Sequence, residues 1–272
     1  MTLTTYPDAI QGSDQWYDHR RGIITASVAG ELITVRKLTA IDYPCPACPA
    51  AAYEPCRSKV SGAAIKTLHP ERAEYARSQS SSTVIEPASN PELRSLTMLL
   101  VAERITGWTE LTYVGDDMLR GIDDEHLARD KYTEHYAPVT ECGFMTEDRW
   151  GFQIGYSPDG LVGDDGLIEI KSRRPKLHLA AILADTPPAD TMAQLQCGLL
   201  VSGRDWIDYV SYCGGMPLWV KRVFPQQDWF DAIAEAAAIF EGNAAEMIRQ
   251  YETSVAGLPP TERTNHDVEL KL

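Results

Sequence analysis

One segment, which ends at Lys171, constrains the fold of this 272-residue chain more than any other. Two apolar runs flank a turn of sequence Gly-Asp-Asp-Gly, which is the pattern of a β-hairpin. Because strand side chains alternate between faces, Leu167, Glu169 and Lys171 share one face of the second strand. Ile168 and Ile170 occupy the opposite face, which we expect to point into a core. The pattern predicts a sheet that presents two opposite charges on one side.

Asp159 lies at the end of the first apolar run, where a hairpin would bring it toward Glu169. Two carboxylates beside a lysine are suited to a hard divalent cation, with Lys171 steering a water or stabilising a developing charge. Phosphodiester hydrolysis uses this chemistry. The alternative is an ordinary hairpin with an exposed Glu/Lys pair, which contributes little energy.

The spacing of Asp159, Glu169 and Lys171 resembles that of the PD-(D/E)xK nuclease superfamily. The sequences Ser-Pro-Asp-Gly-Leu and Ile-Glu-Ile-Lys resemble its phage exonuclease branch, the lambda exonuclease and YqaJ-type viral recombinase family. The resemblance implies an α/β (α+β) restriction-endonuclease-like core, with a central mixed sheet flanked by helices. It also implies Mg²⁺ or Mn²⁺ held by Asp159, Glu169 and the Ile170 carbonyl, with Glu125 nearby.

Composition limits the class of protein. Hydrophobic residues make up 44% of the chain and charged residues 24%, as in soluble globular proteins. The sequence shows no membrane span or signal peptide, so we expect a cytoplasmic protein. The resemblance to the phage exonuclease family implies a bacterial host cell and a phage or prophage origin. The net charge of -14 argues against non-specific coating of nucleic acid but permits a local basic channel.

The N-terminal region has the pattern of a phosphate pocket. Ser13 is predicted to cap a short helix that carries Trp16 and Arg20 on one face. Thr25 or Ser27 is predicted to cap the next helix. An arginine facing a hydroxyl and the free N–H groups of a helix start can bind phosphate.

The same region, Trp-x-x-x-Arg-x-Gly-x-x-Thr-Ala-Ser, resembles the opening of the exonuclease family. That resemblance implies that Arg20 and Ser27 bind a terminal 5′-phosphate, with Ser157 as a third phosphate-binding position. The alternative is an ordinary capped helix pair with a surface arginine.

A second group of residues has metal-binding character. Cys45, Cys48, Cys56 and His69 supply the four soft or borderline ligands that tetrahedral zinc requires. We therefore predict a small structural zinc module; the alternative is a loop with incidental thiols. The basic residues of this region make it a candidate DNA contact: Arg57, Lys59, Lys66, Arg72 and Arg77.

Two further motifs resemble the family. In Arg-Gly-x-x-x-Glu-x-x-Ala-Arg, the resemblance places Glu125 near the metal, whereas the simple explanation is one ion pair with Arg129 on the same helix. The Gln-x-Gln helix implies that Gln194 borders the active site, with Gln196 as the fallback. A further phosphate contact could come from any of three residues: Arg173, Arg174 or Lys176.

The resemblance implies a Mg²⁺-dependent deoxyribonuclease, a 5′-to-3′ exonuclease that degrades one strand of duplex DNA ends. The product would be a 3′ single strand for phage-type homologous recombination. Family analogy also implies a homotrimer and a single-strand annealing protein as partner. One alternative is a non-catalytic DNA-end-binding recombination adaptor. Another is a Cas4-like nuclease or an endonuclease. We expect Cys142, Cys197 and Cys213 to be buried away from the other cysteines, which disfavours a Cas4-like enzyme.

These patterns predict four regions and the main elements between them. The regions are the phosphate-binding helices 1–36, the zinc insertion and linker 37–90, the nuclease core 91–258 and the tail 259–272. Residues 78–90 are predicted to be a mobile linker. The predicted helices are 91–107, 118–136, 191–201 and 228–251, and the predicted strands outside the hairpin are 139–146, 150–156, 205–212 and 218–224.

Overall fold

The computed structural model describes residues 2–79, 83–110 and 115–263. Strands and helices are interspersed along the chain, with five consecutive strands between α5 and α6, as expected for a mixed α/β (α+β) fold. In chain order, they are β1 (Thr4–Tyr6), α1 (Asp14–Arg20), β2 (Ile24–Thr25), α2 (Ala29–Leu32), β3 (Ile33–Lys37), α3 (Pro70–Ser78), β4 (Thr83–Pro87), α4 (Pro91–Thr106), α5 (Asp116–His135), β5 (Val139–Thr140), β6 (Phe144–Glu147), β7 (Ile154–Tyr156), β8 (Gly160–Val162), β9 (Gly166–Ser172), α6 (Pro175–Ala184), α7 (Ala189–Ser202), β10 (Trp206–Tyr212), β11 (Trp219–Val223) and α8 (Gln227–Ser254).

The central sheet has five strands in the order β11-β10-β9-β8-β5. The predicted hairpin is present as the antiparallel pair β8 and β9, and β5 pairs antiparallel to β8. Strand β10 runs parallel to β9 and antiparallel to β11. A parallel neighbour requires a crossover, which α6 and α7 provide. The sheet is therefore mixed, which confirms the predicted fold class.

Strand β9 is buried on both faces. Ile168 and Ile170 pack against Ala128 and Tyr132 of α5. This confirms the prediction that their face of the strand points into a core. Leu167, predicted to share the charged face, is instead fully buried in the principal core together with residues of α7 and α8. Helices cover both sides of this sheet, so its central strand lacks the one-sided pattern of an antiparallel sheet.

A second sheet, of order β1-β6-β7-β2, stands beside the first. The predicted strand 150–156 is shortened to β7, which pairs with β6 and β2 and does not join the hairpin. The expected continuous first strand of the hairpin is interrupted between Tyr156 and Gly160. Pro158 in this interval lacks the N–H that a strand interior donates. The chain passes here from one sheet to the other, and Asp159 lies at the crossing.

The prediction of a mobile linker at residues 78–90 is wrong for residues 83–87. These residues form β4, which pairs with β3 as an antiparallel ribbon. Thr83, Val84 and Ile85 are β-branched and favour a strand, although the surrounding serines and prolines suggested a loop. Arg36 of β3 binds Glu86 across the ribbon and Asp42 beyond it, at 2.7 Å and 2.8 Å. Residues 80–82 of the predicted linker lie outside the described residues.

The other predicted helices are confirmed within two or three residues at each end. Asn90 caps α4, and Gly107 ends it with a φ of 65°. The apolar face of α8 packs into the principal core. Helix α6 was not predicted, and the expected helix after Thr25 is a 3-10 turn over Ala26–Val28 followed by the short α2. Within the described part of the chain, no helix is both long and apolar enough to cross a bilayer.

Candidate active site

A cavity of about 420 Å³ opens at the junction of the two sheets with α1, α5 and α7. Every residue that the sequence assigned to the nuclease site lies in its lining. These residues are Arg20, Ser27, Glu125, Ser157, Asp159, Glu169, Ile170, Lys171 and Gln194. They come from segments spread between residues 20 and 194, which the fold brings together.

Glu169 is the centre of a hydrogen-bond network in this cavity and is only 1% exposed. One carboxylate oxygen accepts hydrogen bonds from Lys171 Nζ, at 2.8 Å, and from Gln194 Nε2. The other oxygen accepts a hydrogen bond from the Tyr156 hydroxyl at 3.1 Å. The exposed Glu/Lys pair of an ordinary hairpin is therefore absent. Tyr156 was missed, because a tyrosine in an apolar strand reads as a core residue.

Asp159 is fixed against β9 by its carboxylate, which accepts a hydrogen bond from the Ile170 amide at 2.6 Å. Desolvation, followed by the charges of Glu169 and Glu125, raises the pKa of Asp159 well above its usual range. Three carboxylates that repel one another in a half-buried cavity are the donors that a hard divalent cation prefers. The residues present therefore fit Mg²⁺ or Mn²⁺.

Lys171 remains strongly cationic in this setting. Desolvation lowers the pKa of its amine, but Glu169 and Asp159 more than compensate and the pKa is raised overall. The lysine side chain is 28% exposed and lines the cavity, and its ammonium group forms an ion pair with the buried Glu169. A charged donor is thus fixed beside both carboxylates.

Glu125 combines the two interpretations that the sequence left open. Its carboxylate pairs with Arg129 one turn along α5, as the simple explanation predicts, and it also lines the cavity. Desolvation raises the pKa of Glu125, and Glu169 raises it further. Arg129 Nε also donates a 2.9 Å hydrogen bond to the Asp159 carbonyl. Helix α5 is therefore tied directly to the turn that carries Asp159.

The predicted phosphate pocket lies in the same cavity. Arg20 Nη2 donates to Ser27 Oγ at 3.2 Å and to Thr25 Oγ1 at 3.4 Å. The guanidinium stacks on Trp16, 4.0 Å from the ring centroid, and the indole N–H donates a 2.7 Å hydrogen bond to Ser157 Oγ. Trp16 therefore connects the arginine to the third predicted position, a link that its helical spacing did not reveal.

The structure separates the alternatives beyond Lys171. Arg173 donates to the Tyr209 hydroxyl at 3.2 Å, away from the cavity. Arg174 instead pairs with Asp117, which lines the cavity. Lys176 is exposed at the start of α6. Gln196, the fallback for Gln194, is fully buried and binds backbone atoms between β11 and α8. Arg174 is thus the basic residue of the three that is directed to the cavity rim.

The four zinc-ligand candidates form a cluster, with their ligand atoms all within 4.8 Å of one another. Cys45 Sγ lies 3.4 Å from His69 Nδ1. The Arg57 amide donates to Cys48 Sγ, which lowers the pKa of that thiol to about 6 and favours the thiolate that binds metal. Convergence of three thiols and an imidazole excludes incidental placement and fits Zn²⁺.

Arg72 corrects one expectation for this module. The sequence placed it among residues available to DNA, but its side chain is fully buried. Its guanidinium donates to the carbonyls of Tyr43, Glu54, Ile41 and Ala51 and to Cys56 Sγ. It therefore supports the metal cluster from inside the module.

The remaining cysteines behave as predicted. Cys142, Cys197 and Cys213 are buried free thiols, and none of them belongs to the Cys₃His cluster. Burial raises the pKa of the Cys197 thiol to about 12. These cysteines are consistent with core packing.

Two family comparisons match the chain in overlapping segments. Residues 72–205 match the YqaJ-like viral recombinase domain. Residues 11–88 match a phage zinc finger domain with a proposed DNA-binding role. The second match contains all four ligands of the Cys₃His cluster. No curated protein matches the chain.

Solved structures show a similar fold. The crystal structure of an alkaline exonuclease, LHK-Exo, from Laribacter hongkongensis has a TM-score of 0.63 and 23% identity. The crystal structure of LHK-Exo in complex with dAMP has the same TM-score and 24% identity. Each comparison covers 91% of this chain and 100% of the other. At this identity, the likeness establishes the fold.

Proposed function

We propose that this protein, whose residues 72–205 match the YqaJ-like viral recombinase domain, is a Mg²⁺-dependent exonuclease acting on duplex DNA ends. Its polarity would be 5′-to-3′, and its product a 3′ single strand for recombination. One observation carries this proposal: the Asp159, Glu169 and Lys171 side chains share a cavity with Arg20, Ser27 and Ser157. The similar fold of the alkaline exonuclease LHK-Exo supports it.

The carboxylates of Asp159 and Glu169 and the Ile170 carbonyl would hold the divalent cation, with Glu125 nearby. Bound there, a divalent cation supplies Lewis-acid stabilisation of the charge that develops on phosphate, and lowers the pKa of a coordinated water. Lys171, held by Glu169, orients the attacking water and adds a fixed positive charge. Gln194 shares the same carboxylate oxygen and limits the rotation of Glu169.

Arg20, Ser27 and Ser157 would bind the 5′-terminal phosphate. A guanidinium and two hydroxyls provide the charge-assisted donors that a phosphate dianion requires. Trp16 keeps Arg20 and Ser157 together by stacking on one and donating to the other. Terminal recognition in the same cavity as the carboxylates favours an exonuclease over an endonuclease of this superfamily.

The zinc module would be structural and contact DNA, in keeping with the proposed role of the phage zinc finger family. Arg174 would contribute a further phosphate contact at the cavity rim. A homotrimer, a single-strand annealing partner and a location in the cytoplasm of a phage-infected or lysogenic bacterium belong to the same proposal. The adaptor alternative is disfavoured because the acidic residues and the lysine are intact and assembled. The buried, separate positions of Cys142, Cys197 and Cys213 disfavour a Cas4-like enzyme.

The test uses linear duplex DNA carrying a 5′-phosphate or a 5′-hydroxyl, end-labelled on either strand, with Mg²⁺ or EDTA. We expect wild type to degrade the 5′-phosphorylated strand in Mg²⁺ only, and Asp159→Asn to be inactive. Arg20→Ala should lose the preference for phosphate. Asp164→Asn, an exposed acid in the turn of the same hairpin, is the matched control and should retain activity. Equal digestion by wild type and Asp159→Asn would reject the site.

A further inference from the structure

The turn at Gly22 connects Arg20 of α1 to Thr25 and Ser27, the partners of its guanidinium. Its backbone is left-handed, with a φ of 69°. Both polar atoms of Gly22 are bound by neighbouring side chains of α4. The Gly22 amide donates to Glu103 Oε2 at 2.7 Å, and Arg104 Nε donates to the Gly22 carbonyl at 2.6 Å.

The turn and α4 are in direct contact. A Cβ atom at Gly22 would lie 2.5 Å from Arg104 Cγ and 3.2 Å from the Leu100 carbonyl. Glu103 is only 7% exposed, so its carboxylate is a buried acceptor committed to this amide. The charge of Glu103 also acts on Arg20. Desolvation lowers the pKa of Arg20, and the negative charge of Glu103 is among the effects that raise it.

Arg104 is itself fixed from the opposite side. Its two terminal nitrogens bind both oxygens of Glu241 on α8, at 2.8 Å and 2.6 Å. The guanidinium lies over the Phe240 ring, 5.1 Å from its centroid. A bidentate pair of this kind restricts the rotation of the arginine. Helices α4 and α8 therefore hold the Gly22 turn through one clamp.

We propose that Glu103 and Arg104 are positioning residues for the 5′-phosphate pocket, which they maintain by fixing the Gly22 turn between Arg20 and Ser27. This inference rests on the proposed function. Neither residue lines the cavity, so they act on end recognition through the backbone. Their removal should impair recognition of the terminal phosphate while the carboxylates and Lys171 remain in place.

The test compares KM and kcat on 5′-phosphorylated and 5′-hydroxyl duplexes. Glu103→Ala removes the acceptor of the Gly22 amide and should raise KM for the phosphorylated duplex about tenfold, the effect of about one misplaced hydrogen bond to a charged group. KM for the hydroxyl duplex and kcat should change less than about twofold. Glu103→Gln retains an acceptor oxygen and should restore most of the preference.

Arg104→Met keeps the aliphatic stem against Gly22 but loses the hydrogen bonds, and should act like Glu103→Ala. Arg222→Met is the matched control. Arg222 also forms a bidentate pair, with Asp208, and also stacks on an aromatic ring, that of Trp206, outside the cavity. Its loss should leave the phosphate preference unchanged.

Several outcomes would overturn the inference. One is a folded Glu103→Ala or Arg104→Met protein with the wild-type preference for phosphate. Another is an equal loss on both duplexes, which would indicate a purely structural role. If Glu103→Ala does not fold, Arg104→Met alone decides. A wild-type enzyme that degrades both duplexes equally would reject the phosphate pocket of the proposed function itself, a result distinguishable from the other two.

Discussion

Arg72→Met should destabilise the zinc module and weaken its hold on the metal. The substitution keeps the aliphatic stem and removes five donors, four of which serve carbonyl groups. The Ile41 and Ala51 carbonyls retain the amides of Tyr53 and Glu54 as partners. The other two carbonyls, of Tyr43 and Glu54, have Arg72 as their donor among the hydrogen bonds of the described residues.

The magnitude follows from those two carbonyls. A buried acceptor left without a donor costs about 1–3 kcal/mol, so the pair costs roughly 2–6 kcal/mol. The wild-type protein buries a guanidinium that has no carboxylate partner, so Arg72→Met also removes the desolvation penalty of that charge, which offsets part of this cost. We expect a net loss of about 3 kcal/mol, which corresponds to about a hundredfold in zinc affinity if the loss falls on the metal-bound module.

Zinc affinity can be measured by competition with a chromophoric chelator, together with the rate of proteolysis within residues 37–79. Arg77→Met is the matched control, because Arg77 lies on the same helix but is exposed. The control should bind zinc as tightly as wild type. An Arg72→Met protein with wild-type zinc affinity and proteolysis would refute the assignment of Arg72 as the internal support of the cluster.

Three other predictions address separate parts of the molecule. Hydrogen bonds from Arg36 lower the pKa of Asp42 to about 2 from 3.8, so this carboxylate stabilises the fold above about pH 4. That contribution, up to about 2 kcal/mol, should disappear as the pH falls toward 2, and Asp42→Asn should flatten the acid limb of the stability profile measured by urea unfolding. Cys45→Ser should lower the zinc content found by elemental analysis, and an undiminished content would remove the ligand assignment. Gly198→Ala should reduce kcat by about tenfold with little change in KM. The added Cβ atom would lie 2.8 Å from the ring of Tyr156, and the hydroxyl of Tyr156 binds Glu169. Unchanged kinetics would show that Tyr156 is not needed to orient Glu169.

The sequence predicted contacts between residues that lie within a few positions of each other along the chain. A hairpin fixes which side chains of β9 share a face, so Glu169 and Lys171 could be placed together from alternation alone. Asp159 could be added because the turn is short. The C-terminal ends of two helices could be predicted because Gly107 and Gly203 favour the left-handed conformation that often follows a helix.

Long-range contacts could not be predicted in the same way. The hydrogen bond from Trp16 to Ser157 spans 141 residues, and nothing in either segment identifies the other. Arg72 was misassigned because a basic side chain normally lies at the surface, and only the tertiary arrangement supplies its carbonyl partners. The β3–β4 ribbon was missed because its two strands are separated by the whole zinc module.

The crossing of the chain between the two sheets has a consequence for product size. Ser157 and Asp159 lie on either side of Pro158, so the proposed grip on the DNA terminus and the proposed cleavage centre are covalently adjacent. Because only Pro158 separates them along the backbone, the spacing between Ser157 and Asp159 is nearly fixed. Such an enzyme should release fragments of one uniform length, whatever the overall flexibility of the protein around it.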